Sequence, residues 1–337
     1  MIRHSLRTGP FDFEAGGSLE QIEIVYHTSP VRDGKVIWIC HALTANSDVE
    51  DWWPQLVGPG KLIDTEKYYV VCVNVPGSPY GSSGPSSVDP STGSPYYFKF
   101  PRITIRDMVK ASILVRKELG IESVDLLIGS SIGGFQAIEW SVTEPDVVKN
   151  AVLIATSPRV SPWFSAMAEA QRMAISADQT FFECKDLHGG ADGLKCARAQ
   201  GLISYRSYEG YRRTQAEYDD DTLFAERAAS YERYQGEKLV KRDFDAYSYY
   251  YLCDAIDSHN VGRRRGGVAA ALSLVKAGTS VVGIESDGLF PPREVKEMAA
   301  LIPGAVYHEI TSDFGHDGFL LENDQLTSII KPIIDRL

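Results

Sequence analysis

Val124-Asp125-Leu126-Leu127-Ile128-Gly129-Ser130-Ser131-Ile132-Gly133-Gly134-Phe135-Gln136-Ala137-Ile138-Glu139-Trp140 decides the fold. An apolar run that reads as a buried strand passes through a Gly-x-Ser-x-Gly turn into a helix-forming run, the layout of a nucleophile elbow. A serine at the tip of so tight a turn is held in strained backbone geometry. Side chains two residues before and after it would clash, so glycines are wanted there. Gly129 and Gly133 supply them around Ser131. In a chain with 29 glycines such a match also arises by chance, as an ordinary Gly/Ser loop; the flanking strand and helix signals favour the elbow. Ser130 is the rival nucleophile, but only Ser131 has glycine at both offsets.

A serine hydroxyl is a poor nucleophile near neutral pH and needs a histidine base oriented by a carboxylate, in the chain order Ser, Asp, His. Val281 to Ile284 reads as a buried strand running into Glu285-Ser286-Asp287-Gly288-Leu289-Phe290, which puts Asp287 just past a strand end. After the strand Ala305 to Ile310 comes Ser312-Asp313-Phe314-Gly315-His316-Asp317-Gly318-Phe319, making His316 the candidate base. Glu285, Asp313 and Asp317 are rival carboxylates by spacing; Asp287 leads because it follows the strand end directly.

Of the other histidines, His4, His27, His188, His259 and His308 lie in terminal, polar or alternating stretches and read as solvated or structural. His41 differs: it opens His41-Ala42-Leu43-Thr44 after the apolar strand Val36 to Cys40, where an elbow fold places its second oxyanion amide. The main chain near Leu43 and the amide of Ile132 are therefore expected to bind the oxyanion, with His41 structural.

A longer series of motifs carries a family resemblance. His41-Ala42-Leu43-Thr44, Asp51-Trp52-Trp53, Val57-Gly58-Pro59-Gly60, Tyr80 to Pro85, Phe100-Pro101, Thr104 to Val109, Gly133 to Ala137, Gly193 to Arg198 and Gly315 to Leu320 occur in order along nearly the whole chain. Together they resemble the homoserine O-acetyltransferases of the α/β-hydrolase superfamily. The resemblance implies transfer of an acetyl group from acetyl-CoA to the side-chain hydroxyl of L-homoserine in methionine biosynthesis, by a ping-pong route through acetyl-Ser131. His316 would shuttle protons and Asp287 would orient it. Arg198 looks like the family's arginine for the homoserine carboxylate, Asp317 like the acid for its ammonium, and Tyr205 like a tyrosine lining the site. Without the resemblance, Arg198 reads rather as a surface helix arginine in a salt bridge. Two positions depart from the family pattern: Ala45 stands where glycine is common, and Pro76 where leucine is usual.

Transfer to an alcohol must outcompete water, so the acyl-enzyme needs shielding. About 125 residues separate the strand ending at Ala155 from the one beginning at Val281, far more than a crossover helix requires. The expected organisation is a catalytic core of residues 1–160 and 261–337 with a helical cap at 161–260, the stretch Gly267 to Lys276 returning to the core as a helix. The core should be an α/β-hydrolase fold, with Ile22 to Tyr26 as an antiparallel strand beside a mostly parallel sheet. Gly77 to Ser94, rich in Gly, Ser and Pro, reads as an ordered active-site loop.

A formal charge of −11 argues against nucleic acid or an anionic membrane as partner. Binding an anionic CoA then needs local cations. Arg263-Arg264-Arg265 is one cluster that could supply them, although it reads rather as a solvated helix end. There is no apolar run long enough to span a membrane, and Met1 to Arg7 lacks a signal-peptide core, so a cytoplasmic location is expected. Five scattered cysteines without a Cys-x-x-Cys pair indicate neither a disulfide framework nor a metal site, and no bound cofactor is expected. A homodimer is an expectation from the resemblance. Succinyl-CoA as donor, L-serine as acceptor, or a Ser-His-Asp esterase using water remain alternatives.

Overall fold

The computed structural model describes all 337 residues. Ten strands form: β1 (Ile2–Thr8), β2 (Phe11–Asp12), β3 (Ser18–Leu19), β4 (Ile22–Thr28), β5 (Val36–Cys40), β6 (Tyr69–Val73), β7 (Leu126–Ser130), β8 (Asn150–Ile154), β9 (Gly278–Ile284) and β10 (Val306–Ile310). Eight of them make one sheet in the order β1-β4-β6-β5-β7-β8-β9-β10, and β2 pairs β3 apart from it. β4 is antiparallel to both neighbours; from β6 to β10 every pairing is parallel.

The run of apolar residues in β5 to β8 reflects burial on both faces, as parallel strands require. Alternate side chains separate onto two cores. Trp38, Val71, Leu127 and Leu153 face one core; Ile37, Val70, Leu126 and Val152 face the other. The helices are α1 (Val49–Trp52), α2 (Ile105–Glu118), α3 (Ile132–Thr143), α4 (Pro162–Ser176), α5 (Ala191–Tyr205), α6 (Tyr208–Gln215), α7 (Arg227–Lys241), α8 (Ala246–Asp257), α9 (Val268–Leu272), α10 (Pro292–Leu301), α11 (Gly318–Leu321) and α12 (Asn323–Ile334). α2, α3 and α10 cover the first face through Met108, Ile138 and Met298. α1 and α12 cover the second through Val49, Leu326 and Ile330.

Between β8 and β9 the chain makes α4 to α8 and returns through a narrow stem. Val160 N–H donates to the His259 carbonyl at 3.0 Å and Val261 N–H to the Pro158 carbonyl at 3.0 Å. Helix α4 starts at this stem because Ser161 caps it, its hydroxyl accepting from Phe164 N–H, with Pro162 at the first helical position.

Three elements differ from the sequence reading. Strand β7 begins at Leu126, not Val124, which makes only an isolated bridge to Val148, and it runs on through Gly129 and Ser130. The helix expected from Gly267 to Lys276 is confined to Val268–Leu272. β1 was not foreseen: it is a half-exposed edge strand whose alternation is too weak to read without its partner β4.

Candidate active site

Ser131 stands at the junction of β7 and α3 with φ 57° and ψ −126°, a conformation that costs an L-residue energy and holds only where the surroundings enforce it. The surroundings do so. Ser131 N–H donates to the Ile154 carbonyl at 3.0 Å, and Thr156 Oγ1 donates to the Ser131 carbonyl at 3.0 Å. The flanking glycines are needed for space. A Cβ on Gly129 would lie 2.2 Å from the Gly133 carbonyl oxygen, and one on Gly133 would lie 2.2 Å from the Cys40 carbonyl oxygen.

Asp287 and His316 meet as the spacing suggested. His316 Nδ1–H donates to Asp287 Oδ2 at 2.8 Å, and both residues are buried. Asp287 Oδ1 accepts from Leu289 N–H at 2.8 Å and Phe290 N–H at 2.9 Å, so each carboxylate oxygen has a fixed direction. His316 Nε2 is buried and free of any protein partner. It opens onto the cavity that Ser131 also lines, the arrangement of a base oriented for a serine. The rival carboxylates are elsewhere: Glu285 is exposed, and Asp313 pairs with Arg213 on the surface.

The two expected oxyanion amides lie on segments that are held together directly. Ile132 is the first residue of α3, so its N–H has no partner within the helix. Gln136, one turn on and buried, donates through Nε2 to the His41 carbonyl at 3.3 Å, tying α3 to the segment carrying Leu43. His41 is structural. Its Nδ1–H donates to the Ala42 carbonyl at 2.9 Å and its Nε2 accepts Val75 N–H at 3.2 Å. Burial lowers its pKa to about 4, keeping it neutral. The sequence reading missed Gln136, although a polar residue in so apolar a helix is itself a signal.

Ser131 and His316 open onto a cavity of about 300 Å³ whose walls include Leu43, Ile132, Arg198, Tyr205 and Asp317. All the sequence-derived site residues except Asp287 thus line one space, with Asp287 behind His316. Arg198 makes no ion pair within the protein; its guanidinium carbon is 6.0 Å from the centre of the Tyr205 ring, which in turn is 5.9 Å from the His316 ring. Burial pushes the Tyr205 phenol up to about 12, against the opposing pull of Arg198, so it is a neutral hydroxyl. Asp317 is paired: Arg206 Nε lies 2.6 Å from its Oδ2. Trp52, which lies in one of the quoted motifs, also lines the cavity, as do Arg206, Lys238 and Arg242, which sit on α5 and α7 or at their ends and which the sequence did not single out for the site.

His259 is structural, one of the two readings the sequence allowed: it is 1% exposed, its ring is stacked on Phe135 of α3, and its Nε2–H donates to the Ser157 carbonyl at 2.8 Å. Two other expectations are corrected. Arg263-Arg264-Arg265 is neither a helix end nor a phosphate site on the cavity. Arg263 pairs with Glu14, and Arg265 forms two bonds with the buried Glu139 at 2.9 and 2.7 Å. The Gly77 to Ser94 loop is ordered, with Ser82 Oγ bonded to Val25 N–H and to the Asn74 carbonyl, but none of its residues lines the Ser131 cavity. No group of three or more His, Cys, Asp or Glu side chains is placed to hold a metal ion.

The family model described as the alpha/beta hydrolase fold matches residues 35–323. The chain is 40% identical to the homoserine O-acetyltransferase of Cyclobacterium marinum, over 94% of this chain and 91% of that one. In three dimensions it is similar to the homoserine O-acetyltransferase of Bacillus anthracis, with a TM-score of 0.89, 24% identity and coverage of 98% and 97%. It is similar to esterase E22 as well, with a TM-score of 0.88, 21% identity and coverage of 98% and 99%. At those two identities the likeness is one of fold, and the fold is common to a transferase and an esterase.

Proposed function

The chain belongs to the homoserine O-acetyltransferase family of the α/β-hydrolase superfamily, and from that premise we propose the route by which its site acetylates the side-chain hydroxyl of L-homoserine: acetyl-CoA is the donor and acetyl-Ser131 the intermediate. Ser131 Oγ attacks the thioester carbonyl while His316 Nε2 takes the hydroxyl proton. The oxyanion is held by Leu43 and Ile132 N–H groups, and its collapse breaks the C–S bond. The departing thiolate receives the proton from His316 and leaves as CoA thiol. The homoserine hydroxyl then gives its proton to His316 Nε2 and attacks acetyl-Ser131. Collapse returns the proton to Ser131 Oγ and releases O-acetyl-L-homoserine. Asp287 holds the imidazole in the tautomer with Nε2 free and balances the imidazolium.

The observation that carries this reading is Arg198, a guanidinium with no carboxylate partner, in the same cavity as Ser131, His316 and Asp317. A zwitterionic amino acid needs one partner of each sign, and a guanidinium grips a carboxylate bidentately. An esterase needs neither. Residues 161–260 act as the cap that excludes water, and Tyr205 shapes the acceptor's side of the cavity.

The same reading makes the protein a cytoplasmic homodimer joined through the caps, where Tyr218, Leu223 and Phe224 are strongly exposed. No helix is long and apolar enough to cross a membrane. Light scattering at the mass of one chain would remove the dimer.

The deciding experiment is thiol release from acetyl-CoA with and without L-homoserine, beside succinyl-CoA, L-serine and Ser131→Ala controls. Homoserine-dependent release abolished in the variant is expected. Release independent of acceptor would make the protein a hydrolase, and preference for succinyl-CoA or L-serine would change donor or acceptor.

A further inference from the structure

A chain with a net charge of −11 presents a cationic mouth to its own active-site cavity. Arg198, Arg206, Lys238 and Arg242 line it against the single carboxylate of Asp317, which pairs with Arg206. Two of the four are set apart by position. Lys238 lies on α7 and Arg242 caps its C-terminal end, four residues later, so both project from one face of the helix. Together with Thr44, Arg198 and Gln235 they also line a side recess of about 100 Å³ beside the main cavity.

The opposite wall of the mouth is α1 of the core. There Trp52 lines the cavity, and its neighbour Asp51 reaches across to Arg242, Oδ2 to Nη2 2.6 Å. Asp51 is 43% exposed and Arg242 47%, so the pair gains little from its Coulomb attraction and is readily exchanged. Asp51 would not be stranded by the exchange, because its Oδ2 also accepts Asn46 Nδ2–H at 3.0 Å. Lys238 has no carboxylate partner.

We propose that Lys238 and Arg242 form the subsite for the phosphate groups of the acyl donor, and that Asp51 is a competing anion which the donor's phosphate displaces from Arg242. The inference rests on the reading of acetyl-CoA as donor. The chemistry fits: a guanidinium fork suits a phosphate's oxygens, a lysine adds a mobile point charge, and phosphate outcompetes a half-exposed carboxylate by charge. In the other arginine cluster Arg263 and Arg265 are committed to Glu14 and Glu139, and the exposed Arg264 does not line the cavity. Displacement of Asp51 also releases the only ion pair between α1 and the end of α7.

The test compares acetyl-CoA with S-acetylpantetheine, the same thioester without the nucleotide phosphates. Wild-type enzyme is expected to favour acetyl-CoA in kcat/KM, with a preference that falls as NaCl is raised. Lys238→Ala and Arg242→Ala should each raise the KM for acetyl-CoA about tenfold, as loss of a charge-assisted hydrogen bond does, and together collapse the preference toward one. Asp51→Asn should lower the KM for acetyl-CoA. Equal effects on both donors, or a preference that survives the double variant, would overturn the subsite and leave acetyl-CoA as donor intact. Wild-type enzyme that releases thiol from no CoA ester would overturn the donor reading, and the subsite with it.

Discussion

The imidazole of His259, in the stem between β8 and β9, lies flat on the ring of Phe135 in α3: the centroids are 3.8 Å apart and the planes 15° apart. Burial, with Arg106 and Arg263 nearby, lowers its pKa to about 3, so it is neutral in the folded protein. An unfolded chain would protonate it near its ordinary value of 6.5. Between those values the unfolded state binds one proton more than the folded state, so stability rises with pH. His259 therefore contributes fully above about pH 6.5, and that contribution is lost progressively as pH falls toward 3. Denaturant unfolding should show the loss, up to about 1.4 kcal/mol per pH unit from this group. His259→Phe should flatten the slope by one proton between pH 6 and 4.5; an unaltered slope would refute the assignment.

Asp287→Asn separates orientation from architecture. The Asn oxygen can still accept from Leu289 and Phe290 N–H, so the melting temperature should move little. Its NH₂ would then face His316 Nδ1, where an N–H now donates, and force the other tautomer. A fall in kcat of about 10³ to 10⁴ is expected. A loss of less than tenfold would mean that His316 is not the base.

Gln136→Leu removes the tie between α3 and the His41 carbonyl without touching the reacting atoms. The Leu43 and Ile132 amides would lose their shared alignment, and kcat should drop roughly tenfold to a hundredfold while the KM for L-homoserine stays within about twofold. A change confined to KM would place Gln136 outside oxyanion geometry.

Arg198→Ala should raise the KM for L-homoserine roughly tenfold to a hundredfold, the cost of a charge-assisted bidentate contact. Water-dependent loss of acetyl from Ser131 should change much less, because water makes no use of the guanidinium. Parallel loss of both activities would assign Arg198 to folding instead.

Gly133→Ala would drive a methyl group into the Cys40 carbonyl, which belongs to a central strand and cannot yield. We expect destabilisation of about 3 kcal/mol or more, read as a lower denaturant midpoint, with activity lost in proportion to the folded fraction. Near-wild-type stability would show that the elbow is looser than its contacts imply.

The elbow, the order of Ser131, Asp287 and His316, and the alternation that sends Trp38 and Ile37 to opposite cores were legible because each is local: strand period, turn chemistry and chain order are properties of short segments. That several helices lie between β8 and β9 was readable for a related reason, since the stretch is longer than any crossover helix. What lay outside that reach were contacts made across the fold. Nothing near His259 in sequence reveals that Phe135, more than a hundred residues earlier, will cover its ring. Nor does the run Arg263 to Arg265 show that Glu14 will pair with Arg263 and Glu139 with Arg265. Asp51 meets Arg242 only because α1 and the end of α7 converge at one cavity mouth. Sequence alone determined which residues could do the chemistry, because nucleophile, base and acid must be of given types at given turns. Tertiary structure decided which charges remain free to bind a ligand, because an ion pair depends on distance in space, which chain order does not set.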